Sequence, residues 1–195
     1  AQVLQSQALN NPQWVGVGTL WEPQAFDGDD ANHVDADGHD ASGRFMSYWA
    51  WQGGAPVQEP LRGYDVPGDG DWYLQPAATS KPSVLEPYSY EIGGKKILMT
   101  TLATPIVQDG QFLGVVTVDF ALQSLQDRLS KMRPMQEGYV RLLSPAGTII
   151  ADRDPAKVGS KADDADTRAM LANTASNKIT FEQRRDPVLD RKSVV

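Results

Sequence analysis

The 195-residue chain has no cysteine, which excludes disulfides, thiolate catalysis and cysteine-ligated zinc. Histidine is almost as scarce. His33 and His39 both lie in one acidic, glycine-containing loop, which leaves a histidine-based nucleophile triad without a plausible partner. No run of about 18 apolar residues occurs. The amino terminus lacks a basic stretch followed by an apolar one, so neither a membrane span nor a signal peptide is expected within these residues. Basic residues are in the minority, 18 Lys and Arg against 25 Asp and Glu, for a net charge of -7. That sign repels phosphate backbones and argues against nucleic acid as a partner. What remains is 41% hydrophobic and 22% charged, an ordinary composition for a folded chain long enough to bury a core.

Residues 1–13 read as a short helical stub broken at Asn11-Pro12. Trp14 to Trp21 is β-branched and aromatic with interior glycines, a strand suited to close approach by another backbone. Residues 27–43 are an acidic, turn-forming, exposed loop. Arg44 to Gln52 alternates as a second strand, with Phe45, Ser47, Trp49 and Trp51 on one face and Arg44, Met46 and Tyr48 on the other. Residues 55–83 show no sustained period and read as a long pocket-covering loop. Val84 to Ile92 and Lys95 to Val107 form a hairpin on Gly93-Gly94, and Phe112 to Asp119 adds a strand, for a sheet of at least five strands. Leu122, Leu125, Leu129 and Met132 recur at helical spacing. A smaller hairpin follows over 138–151, then a helix over 162–175 and a strand over Lys178 to Phe181; the last residues have no usable period.

Two catalytic or metal readings are weak. Asp69, Asp71, Glu86 and Asp119 are carboxylates that could converge for glycoside chemistry. His33, Asp35, Asp37, His39 and Asp40 offer metal ligands, but an EF-hand register counted from Gly38 puts His33 where an aspartate is needed. No metal, cofactor or enzymatic activity is expected. The distinctive feature is aromatic: Trp49, Trp51, Tyr64, Trp72, Tyr73, Tyr88 and Tyr90 fall close together with carboxylates interleaved. Indole and phenol faces attract ammonium ions and stack on heterocycles, although any one of these rings also suits a β-rich core. Asp119 sits among apolar neighbours at a strand end. It is either the partner of a ligand cation or the N-cap of the helix that follows.

The phrases GRFMSYW, GDWYLQP, VLEPYSYEIGGKKILMTTLATPI, FLGVVTVDFALQSLQ and GYVRLLSPAGTIIA, in that order, resemble the double-Cache extracellular sensor domains of bacterial chemoreceptors over residues 14–160. The resemblance implies an α+β fold of two PAS-like antiparallel-sheet modules with a stalk helix. On that pattern residues 1–13 are a stalk remnant, 14–120 the membrane-distal ligand-binding module, 121–135 a linking helix and 136–195 a partial membrane-proximal module, with both ends truncated. Trp72-Tyr73 match the family's paired pocket aromatics, Tyr88 the tyrosine of the next strand, Asp119 the acid that closes on a ligand amine, and Tyr64 approximately an upstream tyrosine. Members that bind α-amino acids carry an arginine where this chain has Gly70. With Asp69 and Asp71 flanking that position, the implied ligand is an amine without a carboxylate, a polyamine, biogenic amine or quaternary ammonium compound, with a purine as the alternative and with Trp49, Trp51 and Asp71 among the expected contacts. The implied setting is periplasmic, on a membrane-anchored receptor that is a homodimer at full length and a monomer or weak dimer as this fragment. Its output is chemotactic, or else that of a sensor kinase or cyclic-dinucleotide enzyme.

Overall fold

Two-residue alternation, glycine turns and a few helical segments build the fold, seen here in a computed structural model that describes residues 1–134 and 138–165, with 167, 168, 171, 183–186 and 191–194. The chain divides into two compact units, Ala1–Ser124 and Leu125–Val195.

The first unit is a seven-stranded, wholly antiparallel sheet. Its strands are β1 (Gly16–Trp21), β2 (Met46–Gln52), β3 (Ala55–Glu59), β4 (Ser83–Val84), β5 (Tyr88–Ile92), β6 (Lys95–Gln108) and β7 (Gln111–Ala121), in the order β3-β2-β1-β7-β6-β4, with β5 also on β6. The β5–β6 and β6–β7 hairpins follow the glycine turns that the sequence announces. Helix α1 (Gln2–Asn10) packs on β1, β2 and β3. Trp51 is on this side, its indole N–H donating to the Ala8 carbonyl at 3.2 Å. The core lies on the opposite face, where Leu20, Met46, Trp72, Leu85, Ala103 and Val115 pack together.

The stretch 55–83 is not one long loop. It holds the edge strand β3, the helix α2 (Asp71–Thr79) and the short β4. Proline hides two of them from a periodicity search: Pro56 stands in β3, which pairs on one side only, and Pro76 stands inside α2. Helix α2 survives its proline because Trp72 and Pro76, four residues apart, are both buried on one face against the sheet. The acidic loop is also less exposed than composition suggests. Asp30 is buried, and its carboxylate accepts from the Gln24 amide at 2.7 Å.

The glycines of β1 admit a side chain rather than a backbone. A Cβ on Gly16 would lie 2.3 Å from the Tyr48 hydroxyl, and one on Gly18 would lie 2.9 Å from the Tyr48 ring. Tyr48 comes from β2, crosses β1 over these two bare positions and reaches β7 on the far side.

In the second unit, helix α3 (Leu122–Leu129), which crosses the unit boundary, contributes Gln126, whose amide bonds the backbone of Asp152 in both directions at 2.8 and 2.9 Å. β8 (Leu142–Leu143) pairs with β9 (Ile149–Ala151), and the buried Asp152 carboxylate accepts from Arg141 at 2.5 Å. β10 (Gln183–Asp186) and β11 (Arg191–Val194) form an antiparallel pair in the tail that has no sequence period. The expected strand at 178–181 lies outside the described residues, as does half of the expected helix at 162–175.

Gly16→Ala is expected to destabilise the first unit by about 1–3 kcal/mol through overpacking. Most of that cost should vanish in a Tyr48→Leu background, because the added methyl then meets no ring. Urea unfolding of the two single variants and the double variant measures the coupling, and simple additivity would show that the slot is not shared.

Candidate functional site

Asp119 lies inside β7, opposite Gly16 on β1 and Thr101 on β6, three residues before α3 begins. Its side chain is 4% exposed and does not cap the helix. One carboxylate oxygen accepts from the Tyr48 hydroxyl at 2.7 Å and the other from Thr101 Oγ1 at 2.6 Å. The Tyr88 hydroxyl stands 2.7 Å from Thr101 Oγ1. Since Thr101 gives its proton to the carboxylate, Tyr88 is the donor in that pair, and a chain Tyr88→Thr101→Asp119 results.

A small cavity opens on this carboxylate, lined by Tyr48, Leu61, Trp72, Tyr88, Tyr90, Met99, Thr117 and Asp119. Its volume is about 10 Å³, the room of a single water molecule. Tyr90 stands edge-on to both Tyr48 and Tyr88, with ring centres 6.5 and 6.4 Å apart. No basic side chain is among the lining residues. Anything larger than water enters only if the wall moves; Leu61, in the loop after β3, and Trp72, on α2, are part of that wall.

The electrostatics follow from burial. Desolvation pushes the Asp119 carboxyl up to about 6, against the pull of the Thr101 and Tyr48 hydrogen bonds, which favour the charged form. Burial also raises Tyr48 and Tyr88, reinforced in each by the negative charge of Asp119. Both phenols therefore stay protonated as donors at neutral pH.

Of the residues expected at the site, Trp72, Tyr88 and Asp119 converge on the cavity and five do not. Trp49 points to the α1 side of the sheet, its indole N–H donating to Ser47 Oγ at 3.2 Å, and Trp51 is tied to α1. The alternation of β2 puts both on the face away from Tyr48. Asp71 accepts from the Gly68 amide at 2.9 Å and from Gln75 at 3.2 Å, closing the start of α2. Tyr64 and Tyr73 both pack against the Arg44 guanidinium, with ring centres 5.2 and 5.1 Å from its carbon. Arg44, 7% exposed, also donates to the Tyr73 hydroxyl at 2.8 Å, to Glu22 at 3.2 Å and to the Trp21 carbonyl. These two tyrosines fasten α2 and the loop before it beside the cavity instead of lining it. Tyr48, Leu61, Met99 and Thr117 are wall residues that the sequence did not point to as part of the site. The pair Gly16 and Gly18, two apart on one strand face, is the sequence signal that a large neighbouring side chain crosses there.

At Gly70 a Cβ would lie 2.3 and 2.5 Å from the carbonyl oxygens of Tyr64 and Gly63, so this backbone admits no arginine there.

Residues 1–127 match the family model described as methyl-accepting chemotaxis protein-like, first PDC sensor domain. The chain is 33% identical to methyl-accepting chemotaxis protein TlpQ of Pseudomonas aeruginosa; the match covers 90% of this chain and 27% of that protein, so the chain spans about a quarter of the relative's length. Among solved structures, the extracellular domain of the histidine kinase homologue mmHK1S-Z2 is 30% identical with a TM-score of 0.76, over 99% of this chain and 73% of that one. Methyl-accepting chemotaxis protein X is 26% identical with a TM-score of 0.70, over 95% and 69%.

The raised pKa of Asp119 makes stability depend on pH. Between the unfolded value of 3.8 and the folded value of about 6, the folded chain holds a proton that the unfolded chain has released. The contribution of this group is therefore most favourable below pH 4 and declines as pH rises to 6, by about 3 kcal/mol. Urea midpoints at several pH values, compared with those of Asp119→Asn, should show the parent losing stability relative to the variant as pH climbs through this window. Parallel curves would mean that the carboxylate is not desolvated.

Proposed function

The chain belongs to the methyl-accepting chemotaxis protein-like family of first PDC sensor domains, and from that membership we propose that it is the periplasmic ligand-sensing part of a membrane-anchored chemoreceptor, closing on a small amine-type cation at Asp119. It is a sensor domain and not an enzyme. Among the described residues no helix is long and apolar enough to cross a membrane. A sensor-kinase output is the second reading, favoured by the likeness to histidine-kinase extracellular domains. The isolated chain is proposed to be a monomer or weak dimer.

One observation carries the ligand assignment: a fully desolvated carboxylate walled by Trp72, Tyr48, Tyr88 and Tyr90 with no basic residue beside it. Two hydroxyl donors hold its geometry but bring no positive charge. A ligand ammonium supplies that charge, and the aromatic faces around it add cation–π attraction. The bare backbone at Gly70 supports a ligand that brings no carboxylate to be gripped. Trp49, Trp51, Tyr64, Asp71 and Tyr73 do not enter this proposal as ligand contacts. Ligand selects an altered wall, because only a state that binds it better can be populated by it.

A melting-temperature screen against amines, purines, amino acids and organic acids is the first test, since a specific ligand stabilises the folded chain by mass action, about 2.7 kcal/mol at a hundredfold excess over Kd. Amines are expected to raise the midpoint. A response confined to carboxylates without an amine overturns the assignment, and one confined to purines transfers it to the alternative that Trp72 stacking would serve.

Calorimetric titration then examines Asp119. Asp119→Asn keeps the size and one acceptor oxygen but removes the charge, and is expected to weaken the binding of a cationic amine by about 2–4 kcal/mol. Equal affinity in parent and variant, with both folded, would assign Asp119 no contact with the cation.

A further inference from the structure

The cavity wall holds a polar atom that the protein leaves unused. Thr117 is 4% exposed and lines the cavity beside Asp119, two residues away on the same face of β7. The neighbouring threonine hydroxyls are all engaged: Thr19 donates to the Val115 carbonyl at 2.8 Å, Thr100 to that of Leu85 at 2.7 Å, and Thr101 to Asp119 at 2.6 Å. The Thr117 hydroxyl forms no side-chain hydrogen bond among the described residues. It lies over the bare position of Gly18, where a Cβ would stand 3.3 Å from Oγ1 and 2.9 Å from the ring of Tyr48. Three lining residues therefore carry acceptor oxygens: Asp119 with its remaining carboxylate lone pairs, Tyr48, whose hydroxyl proton is already committed to Asp119, and Thr117 with Oγ1.

We infer that Thr117 is a specificity-determining residue of this site, selecting ammonium ions that carry N–H groups over fully alkylated ones. The inference rests on the amine assignment above and narrows it. An ammonium bearing two or three N–H groups donates to the carboxylate and to Thr117 Oγ1 together, each a charge-assisted hydrogen bond. A quaternary ammonium satisfies the carboxylate's charge and the aromatic faces but presents only methyl groups. It leaves the Thr117 hydroxyl sealed from water and unpaired, and a buried polar group without a partner disfavours the complex that seals it. Aromatic walls alone make no such distinction, because cation–π attraction needs no donor.

The test is calorimetric titration of the whole chain at neutral pH with n-propylammonium and its N,N,N-trimethyl counterpart. Parent, Thr117→Val and Thr117→Ser are compared. The parent is expected to bind the primary amine at least about tenfold more tightly than the quaternary ion. Thr117→Val, which keeps the shape and removes the hydroxyl, should weaken the primary amine by about tenfold and the quaternary ion by less than about twofold, collapsing the ratio. Thr117→Ser should keep it. Thr117→Ala gives the same reading should the valine variant not fold. Equal affinity of the parent for both cations, or an unchanged ratio after loss of the hydroxyl, overturns the inference while leaving the amine assignment in place. Binding of neither cation to the parent removes the amine assignment itself, and the inference with it.

Discussion

A carboxylate withdrawn from water in the middle of a sheet must be held by donors, and each of those donors has to be delivered by a neighbouring strand. For Asp119 the delivery runs across three strands. Thr101 arrives from β6 directly opposite, which costs the fold nothing beyond normal register. Tyr48 arrives from β2, one strand beyond the immediate neighbour, and its path is open only because β1 is bare at Gly16 and Gly18. A phenol is long enough for that span, and the shorter polar side chains are not. The arrangement of β2, β1 and β7 is thus tied to one buried charge. Loss of either glycine, of the phenol or of the register would strand the carboxylate in an apolar setting.

The other half of the site is held from outside it. Trp72 and Tyr73 are adjacent on α2, and helical geometry turns them apart: Trp72 into the core beside Leu20 and Met46, Tyr73 toward Arg44. Arg44 meets the rings of both Tyr73 and Tyr64, which stand edge-on to each other with centres 6.1 Å apart, so the two tyrosines are fastened to a single guanidinium paired with Glu22. Each such cation–π contact contributes about 0.5–2 kcal/mol. The roughly one-water volume of the cavity and the modest grip of Arg44 are complementary facts, because the wall must yield before a ligand enters.

Legibility in the sequence followed what each signal physically encodes. Antiparallel hairpins on glycine turns and the amphipathic helix after Phe120 were readable because alternation and helical period are set by backbone geometry. Asp119 was readable because a lone acid in an apolar strand has few explanations. Helix α2 and strand β3 were not, since Pro56 and Pro76 contradict local propensity and only packing overrides them. The aromatic cage was half readable. Chain proximity brought seven rings together on paper, but strand parity put Trp49 and Trp51 on the α1 face and left Tyr48 alone facing Asp119. Tyr64 and Tyr73 went to Arg44, a cation within the protein, by the same cation–π attraction that suggested a ligand. Thr117 gave no signal at all, because a threonine in a strand is ordinary until its hydroxyl is found without a partner.

Magnitudes decide how such a site can act on a receptor. Shifting a two-state equilibrium from 1:99 to 99:1 takes about 5.5 kcal/mol of differential binding. Charge pairing with the desolvated Asp119 carboxylate would be one contribution to that difference. Contacts of a ligand with Trp72, Leu61, Tyr88 and Tyr90, which line the cavity, would be another. A cation that met Asp119 but left that wall unengaged would bind without shifting the equilibrium far. Ligand shape against the aromatic wall, as well as ligand charge, thus governs how far the module responds. Asp119 stands three residues before Leu122, the first residue of α3, so a cation pulling on that carboxylate acts on the strand that leads directly into the helix.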